Sequence, residues 1–394
     1  MFLTKEEERI LDGEMGEELA RIMRIVVKVG EVLEAEKLVK VSRAHVSGVS
    51  YRNLGEEGVG FIEELAGTGV RFSIKTSVNP AGMDLENWRE MGVKEECFLM
   101  QMRVIRALRA MGAEVTLTCT PYLYQDISYG EHLAWAESNA VLYANSVLGA
   151  RTNREGGPLS LFEAIVGKAP YVGLHTEEGR TPTVVVDLAS VREVVEERGL
   201  YSALGYLIGR EVEVGVPLIK EGPRLLSCRE NLKLFLAAIG ASSSIGLALI
   251  EGISPEYREP RESLEEISIE PSQIEEVLEN WSSESFDAVV IGCPHLSANE
   301  LMRISMKLEC GRVCRRLILF TSRAAISSAY KWVNRLRDSG VEVYADTCMV
   351  VSDLRGMGVK SCATDSAKAA YYLSSQGYKV LLAPRESLLR SVLS

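Results

Sequence analysis

After residue 284 the chain alternates between short apolar strands and amphipathic helices, and this alternation restricts the possible folds more than any other feature. Strands are predicted at Phe286–Ile291, Arg316–Phe320, Val341–Ala345, Val359–Ala363 and Lys379–Leu382. The intervening helices are predicted at Ala298–Cys310, Ala325–Ser339 and Ser366–Ser375. Strands that alternate with helices of this length predict a parallel, doubly wound sheet.

The preceding part of the chain also mixes strands and helices, but less regularly. A helical pattern covers Thr4–Leu33, and Glu7 lies three residues after Thr4, which predicts a capping box. Short strands are predicted at Leu38–Val41, Arg71–Ile74, Glu114–Leu117 and Val184–Val186. Longer helices are predicted at Cys97–Met111 and Tyr129–Leu148. The whole chain therefore belongs to the α/β class.

Residues 254–283 are polar and acidic and contain Pro255, Pro260 and Pro271, which is typical of a connection between domains. We therefore expect N-terminal α/β lobes that bind substrate at 1–253, a connection at 254–283, and a doubly wound domain at 284–394. A chain of 394 residues is long enough for two or three such units.

Charge and composition exclude several classes of function. The chain has 55 acidic and 44 basic side chains, a net charge of -11, which argues against a broad nucleic-acid surface. No apolar run approaches the length of a membrane span, and the acidic N-terminus does not resemble a signal peptide. We expect a cytoplasmic protein, whose eight cysteines are ligands, catalysts or core residues rather than disulfides.

Three cysteines share one placement in the sequence. Cys119, Cys293 and Cys348 each follow a predicted strand, where functional groups gather in open parallel sheets. Three thiolates from separate loops would suit an iron–sulfur cluster with one open iron, which could act as a Lewis acid. Burial in the core is the alternative. We expect the other cysteines to be structural: Cys97, Cys228, Cys310, Cys314 and Cys362.

Several polar segments could supply donors around an anionic substrate. The first two are the turn-like residues Gly48, Val49 and Ser50 and the Asn79-Pro80 pair, although either could be an ordinary turn. Glu137 and Ser138 lie within the predicted helix at 129–148, where a solvated face is the alternative.

Charged side chains offer further anion contacts. Lys368 falls in the first turn of a helix capped by Thr364–Ser366, which favours phosphate or carboxylate binding, and a solvated surface lysine is the alternative. Arg151 and Arg154 are weaker candidates in a charged loop, since such loops are usually solvated. His295, two residues after Cys293, could hydrogen-bond near a cluster or be structural.

Taken in order, these segments resemble the aconitase X family. The matching pieces are Ser-Gly-Val-Ser at 47–50, Thr-Ser-Val-Asn-Pro at 76–80, Leu-Thr-Cys-Thr-Pro-Tyr at 117–122, Glu-Ser-Asn-Ala at 137–140, Gly-Ala-Arg-Thr-Asn-Arg-Glu at 149–155, Gly-Cys-Pro-His at 292–295 and Asp-Ser-Ala-Lys at 365–368. The resemblance implies an aconitase-like, multi-lobe architecture. It also implies an enzyme that dehydrates 5-phosphomevalonate to trans-anhydromevalonate 5-phosphate, as in archaeal members, because all three cysteines are present. Bacterial members of the family dehydrate hydroxyproline.

The resemblance implies specific roles as well. Archaeal members hold a [4Fe-4S] cluster through three cysteines, which here are Cys119, Cys293 and Cys348. The substrate, a phosphorylated hydroxy acid, would contact Gly48, Val49, Ser50, Asn79, Pro80, Glu137, Ser138 and Lys368. The base that removes the proton lies in a separate small swivel subunit in archaeal members. We therefore expect a heterodimer in which this chain carries no catalytic base.

Three other functions stay open at this point. One is hydroxyproline dehydration within the same family. Another is a non-catalytic iron–sulfur subunit, which would also fit the missing base. The third is a nucleotide-binding enzyme, suggested by the doubly wound pattern, but the sequence contains neither a G-x-G-x-x-G after a strand nor a P-loop.

Overall fold

A computed structural model describes residues 1–222, 226, 228–260, 263–308 and 312–393. The strands in these ranges form four sheets. Three of the sheets are parallel, and the fourth is an antiparallel pair, β1 (Leu38–Lys40) with β5 (Lys168–Pro170). The α/β class predicted from the sequence is therefore confirmed.

The N-terminus forms two helices rather than the single stretch predicted at Thr4–Leu33. They are α1 (Lys5–Leu11) and α2 (Glu17–Val32). Between them Gly13 and Gly16 adopt positive φ angles of 82° and 108°, which interrupt a right-handed helix. The capping box is confirmed, because the Glu7 N–H donates to Thr4 Oγ1 and the Thr4 N–H donates to Glu7 Oε2.

A three-stranded parallel sheet follows, in the order β3–β2–β4. Its strands are β2 (Arg43–Ser47), β3 (Lys75–Asn79) and β4 (Leu133–Trp135). The helices of this region are α3 (Tyr51–Gly67), α4 (Glu95–Ala110), α5 (Ser138–Tyr143) and α6 (Gly157–Val166). Val46 and Val78 of the sheet share one buried cluster with Ile62, Ile105 and Leu161 of the helices, so the sheet and its helices bury their apolar faces together.

Several predictions in this region are wrong in detail. The strand predicted at Arg71–Ile74 lies four residues later, as β3. The segment Glu114–Leu117 contributes a single parallel bridge to Ser77, although the Leu117 N–H also donates to the Val78 carbonyl. Strand β2, with its polar Arg43 and His45, was not predicted.

The helix predicted at Tyr129–Leu148 is also wrong in its first half, which contains β4. Leu-Ala-Trp at 133–135 is a short buried apolar run, and periodicity alone cannot distinguish such a strand from a helix. The second half is helical, as α5 followed by a π-helical turn at Ala144–Leu148. The helix predicted at Cys97–Met111 is confirmed as α4.

The middle of the chain forms a four-stranded parallel sheet in the order β8–β7–β6–β9. Its strands are β6 (Val184–Asp187), β7 (Pro217–Lys220), β8 (Leu249–Ile250) and β9 (Glu266–Ser268). The helices are α7 (Arg192–Arg198), α8 (Tyr201–Val212), α9 (Arg229–Ser242) and α10 (Pro271–Glu279). The segment expected to be a connection, 254–283, thus contains β9, which pairs with β6, and α10. The division of the chain into domains stays a prediction.

The C-terminal region forms a five-stranded parallel sheet in the order β12–β11–β10–β13–β14, which confirms the doubly wound pattern. The strands are β10 (Ala288–Leu296), β11 (Leu317–Thr321), β12 (Glu342–Tyr344), β13 (Ser361–Thr364) and β14 (Lys379–Leu382). The helices are α11 (Ala298–Lys307), α12 (Arg323–Ser328), α13 (Tyr330–Asp338), α14 (Ala367–Ser375) and α15 (Arg385–Ser391). The predicted helix Ala325–Ser339 is thus two helices, separated at Ala329. The strand order reverses between β10 and β13, where open sheets of this kind bind ligands.

Candidate active site

One cavity of about 730 Å³ lies where the carboxyl ends of strands from the N-terminal and C-terminal sheets meet. Residues that follow β2, β3, β4, β12 and β13 line it, together with residues from the end of β10. The structure therefore brings together most of the site residues predicted from the sequence: Gly48, Asn79, Pro80, Cys119, Glu137, Ser138, Cys293, Cys348 and Lys368.

Val49 and Ser50 do not line the cavity. Val49 belongs to a buried apolar cluster, and the Ser50 hydroxyl accepts from the Asn53 N–H at the start of α3. The N–H groups of Gly48 and Val49, expected to be free for an anion, both donate to the Asn79 carbonyl at 2.8 and 3.4 Å. The loop at Gly48 and Val49 therefore stabilises the neighbouring loop at Asn79, and these two N–H groups are not available to a substrate anion.

The three cysteines reach the cavity on separate segments. Burial raises the pKa of Cys119, raises that of Cys293 to about 12, and raises that of Cys348. Without a positive partner these groups are therefore neutral thiols. No set of three or more His, Cys, Asp or Glu side chains within the described ranges is arranged to hold a single metal ion.

Gly292 allows β10 to adopt the backbone path that places Cys293 in the cavity wall. Its φ is 121°, and a Cβ atom there would lie 2.1 Å from the carbonyl oxygen of Phe320 in β11. Glycine therefore permits the close approach of the two strands, and their register shifts between Ile291 and Leu296. The shift occurs within the segment that contains Cys293.

Of the remaining cysteines, the four that the structure describes do not line this cavity: Cys97, Cys228, Cys314 and Cys362. Cys362 is buried in β13 next to β10, whereas Cys314 is exposed. Cys310 lies outside the described residues. That these cysteines are structural stays a prediction.

His295 connects the three cysteine segments. Its Nε2 lies 2.7 Å from the Thr347 carbonyl, beside Cys348, and its Nδ1 lies 3.1 Å from Thr118 Oγ1, beside Cys119. Burial lowers the pKa of His295 to about 4, so the imidazole is neutral. Because a carbonyl can only accept, Nε2 carries the proton and Nδ1 accepts. The backbone N–H of His295 also donates to Cys119 Sγ at 3.3 Å.

A buried ionic network supports His295 from the other side. Lys233 Nζ donates to the His295 carbonyl at 2.7 Å and pairs with Glu300, and the two side chains are 2% and 1% exposed. Burial alone would raise the pKa of Glu300, but the charges of Lys233 and Arg385 lower it to about 2. Arg385 continues the network to Asp365 at 2.6 Å. The sequence signal that could have revealed this network is Lys233, a lysine within the apolar run of α9.

Glu137 and Lys368 form an ion pair in the cavity wall. Lys368 Nζ lies 2.6 Å from Glu137 Oε1 and 3.3 Å from Ser138 Oγ, while Asn79 Nδ2 lies 3.4 Å from Glu137 Oε2. Burial would raise the pKa of Glu137, but Lys368 lowers it. Glu137 is the N-cap residue of α5, not the interior helical residue that was expected. The predicted cap at the start of α14 is confirmed, because Ser366 Oγ accepts from the Ala369 N–H.

The two arginines of the loop 149–155 separate in the structure. Arg151 pairs with Glu177 and lies 3.7 Å from Glu256, and it does not line the cavity. Arg154 does line it and donates to the Ser243 carbonyl. The sequence pattern does not distinguish the two residues.

Two acidic residues near Arg154 were not predicted. Glu155 lines the cavity, and burial raises its pKa to about 7. Glu163 of α6 is fully buried, and burial, with a smaller effect of Glu155, raises its pKa well above the usual value. Neither carboxyl oxygen of Glu163 has a partner in the described part of the chain. The available signal was a glutamate inside the apolar pattern of α6.

Three family models match consecutive parts of the chain. They describe the aconitase X first domain at residues 1–178, the second domain at 182–279 and the third domain at 286–394. A crystal structure of aconitase X from Thermococcus kodakaraensis, in its holo-form, superposes with a TM-score of 0.91 and 39% sequence identity and covers 100% of both chains.

Curated relatives agree with these matches. The phosphomevalonate dehydratase large subunit of Methanocaldococcus jannaschii is 41% identical over 95% of this chain and 96% of its own length. The counterpart from Aeropyrum pernix is 38% identical over 100% of both. The cis-3-hydroxy-L-proline dehydratase of Pseudomonas aeruginosa is 33% identical, over 93% of this chain and 65% of that protein.

These relatives are dehydratases, and the fold and cavity thus define an aconitase-like hydro-lyase. The chain belongs to the aconitase X family. This confirms the resemblance noted in the sequence. None of the described helices is long and apolar enough to cross a membrane.

Proposed function

We propose that this chain is the iron–sulfur subunit of a heterodimeric enzyme that dehydrates (R)-5-phosphomevalonate to trans-anhydromevalonate 5-phosphate. The enzyme would act in the archaeal mevalonate pathway of isoprenoid synthesis, in the cytoplasm. The observation that carries the proposal is the convergence of three cysteines from separate segments and an ion-paired lysine on one cavity. The full-length similarity to relatives named as large subunits of phosphomevalonate dehydratase supports the choice of substrate.

The residues present fit a [4Fe-4S] cluster. Cys119, Cys293 and Cys348 would bind three of its irons, and an iron without a protein ligand would supply a Lewis acid to the substrate hydroxyl. The raised pKa values of the buried thiols support a site that requires a positive partner. The hydrogen bonds of His295 would keep the three segments in place around the cluster.

The other lining residues would bind and orient the substrate. Asn79 Oδ1 is buried and has no partner in the described part of the chain, so it can accept a hydrogen bond from the substrate. The Lys368–Glu137 pair would orient the polar groups of the substrate near the cysteines. Ser138, which contacts Lys368, would bind the substrate next to this pair. The base that removes the C2 proton would come from a small swivel subunit, as the name "large subunit" of the relatives suggests.

The test is an anaerobic preparation of this chain with its small partner, assayed with 5-phosphomevalonate and cis-3-hydroxyproline. We expect dehydration of 5-phosphomevalonate alone, and only when both subunits are present. Turnover of hydroxyproline would replace the proposal with the activity of the Pseudomonas relative. Absence of turnover on either substrate, with a full complement of iron, would favour a non-catalytic iron–sulfur subunit.

A further inference from the structure

The two basic side chains that line the cavity, among the residues the structure describes, differ in how their charges are satisfied. Lys368 is 2.6 Å from the Glu137 carboxylate, so its charge is compensated within the protein. Arg154 forms no ion pair with any described residue, and its one hydrogen bond runs to the neutral carbonyl of Ser243. The guanidinium charge therefore remains available to a ligand.

Burial of the Arg154 guanidinium is energetically unfavourable unless a ligand compensates its charge. Burial lowers the pKa of Arg154, because a desolvated guanidinium loses hydration that a single carbonyl does not replace. Glu155 lines the same part of the cavity but does not pair with Arg154. Helix α6 begins beside them, with Gly156 as its N-cap residue on the cavity wall, so its dipole adds positive potential. An anion at Arg154 would relieve this cost.

Arg151 shows that this arrangement is not general in the loop. It lies three residues before Arg154, but Glu177 and Glu256 compensate its charge away from the cavity. The same loop thus contains one arginine engaged in structure and one that faces the cavity without a carboxylate partner among the described residues.

We infer that Arg154 binds the phosphate group of the substrate. The inference rests on the proposed function, because it requires a phosphorylated hydroxy acid. The reacting end of such a molecule would lie by the cysteines, and its dianionic tail would meet a planar guanidinium with several free N–H groups. That fork suits bidentate contacts with phosphate oxygens. Lys368, already paired with Glu137, would act at the other end of the substrate.

The test compares Arg154→Gln, Arg154→Lys and Arg151→Gln in the cluster-loaded two-subunit enzyme. Charge-assisted contacts to phosphate predict that Arg154→Gln lowers kcat/KM for 5-phosphomevalonate about 10- to 150-fold, mainly through KM. Arg154→Lys should reduce kcat/KM less than Arg154→Gln, because it keeps the positive charge but not the bidentate guanidinium geometry. Arg151→Gln is the matched control and should stay within about fivefold of wild type. Iron content should be unchanged in all three.

Calorimetric titration with inorganic phosphate separates this inference from the proposed function, since it needs no turnover. We expect orthophosphate to bind the wild-type enzyme and to bind Arg154→Gln at least about tenfold more weakly. If phosphomevalonate is not turned over but this difference holds, the proposed function fails and the phosphate site stands. Orthophosphate that binds both proteins equally, or neither of them, would overturn the role of Arg154, as would an unchanged KM in Arg154→Gln.

Discussion

Two regions of the cavity lining differ in whether their charged side chains form ion pairs. In the thiol region, formed by Cys119, Cys293, Cys348, Glu137 and Lys368, the lysine and the carboxylate pair with each other. In the arginine region, formed by residues 154–156, Arg154 has no carboxylate partner among the described residues, and Glu155 has a pKa raised to about 7 by burial.

This difference indicates how the two regions work. A region whose charged side chains pair with each other is preorganised, and can hold cofactor ligands and reacting atoms in fixed positions. A region with unsatisfied charge becomes stable when a ligand of opposite charge arrives. Substitutions in the thiol region should therefore have larger effects than substitutions in the arginine region.

Replacement of a thiol ligand should have the largest effect. We expect Cys293→Ser to lose iron and to lower turnover at least about 1,000-fold, because the Lewis acid supplies several kcal/mol of transition-state stabilisation. The matched control is Cys362→Ser, a buried thiol in the neighbouring strand β13 that does not line the cavity. The control should keep its iron. Equal iron in the two variants would remove Cys293 from the ligand set.

Disruption of the buried Lys233–Glu300 pair should have the second-largest effect. Lys233→Met leaves the Glu300 charge partly uncompensated and removes the donor to the His295 carbonyl. We expect the free energy of unfolding to fall by about 3–5 kcal/mol, measured by denaturant titration. The exposed Lys379→Met serves as control and should change stability by less than about 0.5 kcal/mol. Similar losses in the two variants would mean that the network does not stabilise the thiol region.

Breaking the Lys368–Glu137 pair should affect kinetics more than folding. We expect Lys368→Ala to lower kcat/KM about 10- to 150-fold, because a charge-assisted hydrogen bond near the reacting groups is lost. Its iron content should match wild type, since Lys368 is no ligand. The control is Lys360→Ala, at an exposed lysine, and its kcat/KM should match that of the wild type. Wild-type kinetics in Lys368→Ala would show that the pair is not part of the active site.

Glu163, a buried residue of α6 whose pKa is also raised by Glu155 of the arginine region, should show a smaller, pH-dependent effect. Its pKa is raised in the folded state, so the folded protein binds more protons, and stability falls as pH rises from the unfolded pKa through the folded one. Glu163→Gln removes this titration. The melting temperature of the variant relative to wild type should therefore rise between pH 5 and pH 8, by the equivalent of at least about 1 kcal/mol. A difference independent of pH would mean that Glu163 does not titrate in this range.

The sequence predicted the C-terminal sheet far better than the N-terminal one, for a physical reason. Strands β10 and β11 each begin with a continuous run of four apolar residues, which is the simple pattern of a buried parallel strand. Strand β2 instead carries Arg43 and His45, and β4 is too short for its periodicity to be read. Local pattern is most informative where an apolar run lies between clear helices.

The candidate site was predictable where its residues follow strands, and less so elsewhere. The approach of Cys293 and Cys348 to one edge of the sheet follows from the pattern, because parallel strands end at one edge. Cys293, however, lies within β10 and does not follow it as predicted. The choice between Arg151 and Arg154 depends on Glu177 and Glu256, which lie many residues away in sequence. The four contacts of His295 likewise involve segments that are distant in sequence and that only the tertiary fold brings together.

We propose that three thiols of this chain hold a cluster with one iron open to the substrate. The most direct test is Mössbauer spectroscopy of the ⁵⁷Fe-loaded two-subunit enzyme with and without 5-phosphomevalonate. We predict that one iron site of the cluster changes its isomer shift and quadrupole splitting when substrate binds, while the other sites keep theirs. Identical spectra at saturating substrate, in a preparation that turns over, would contradict the claim.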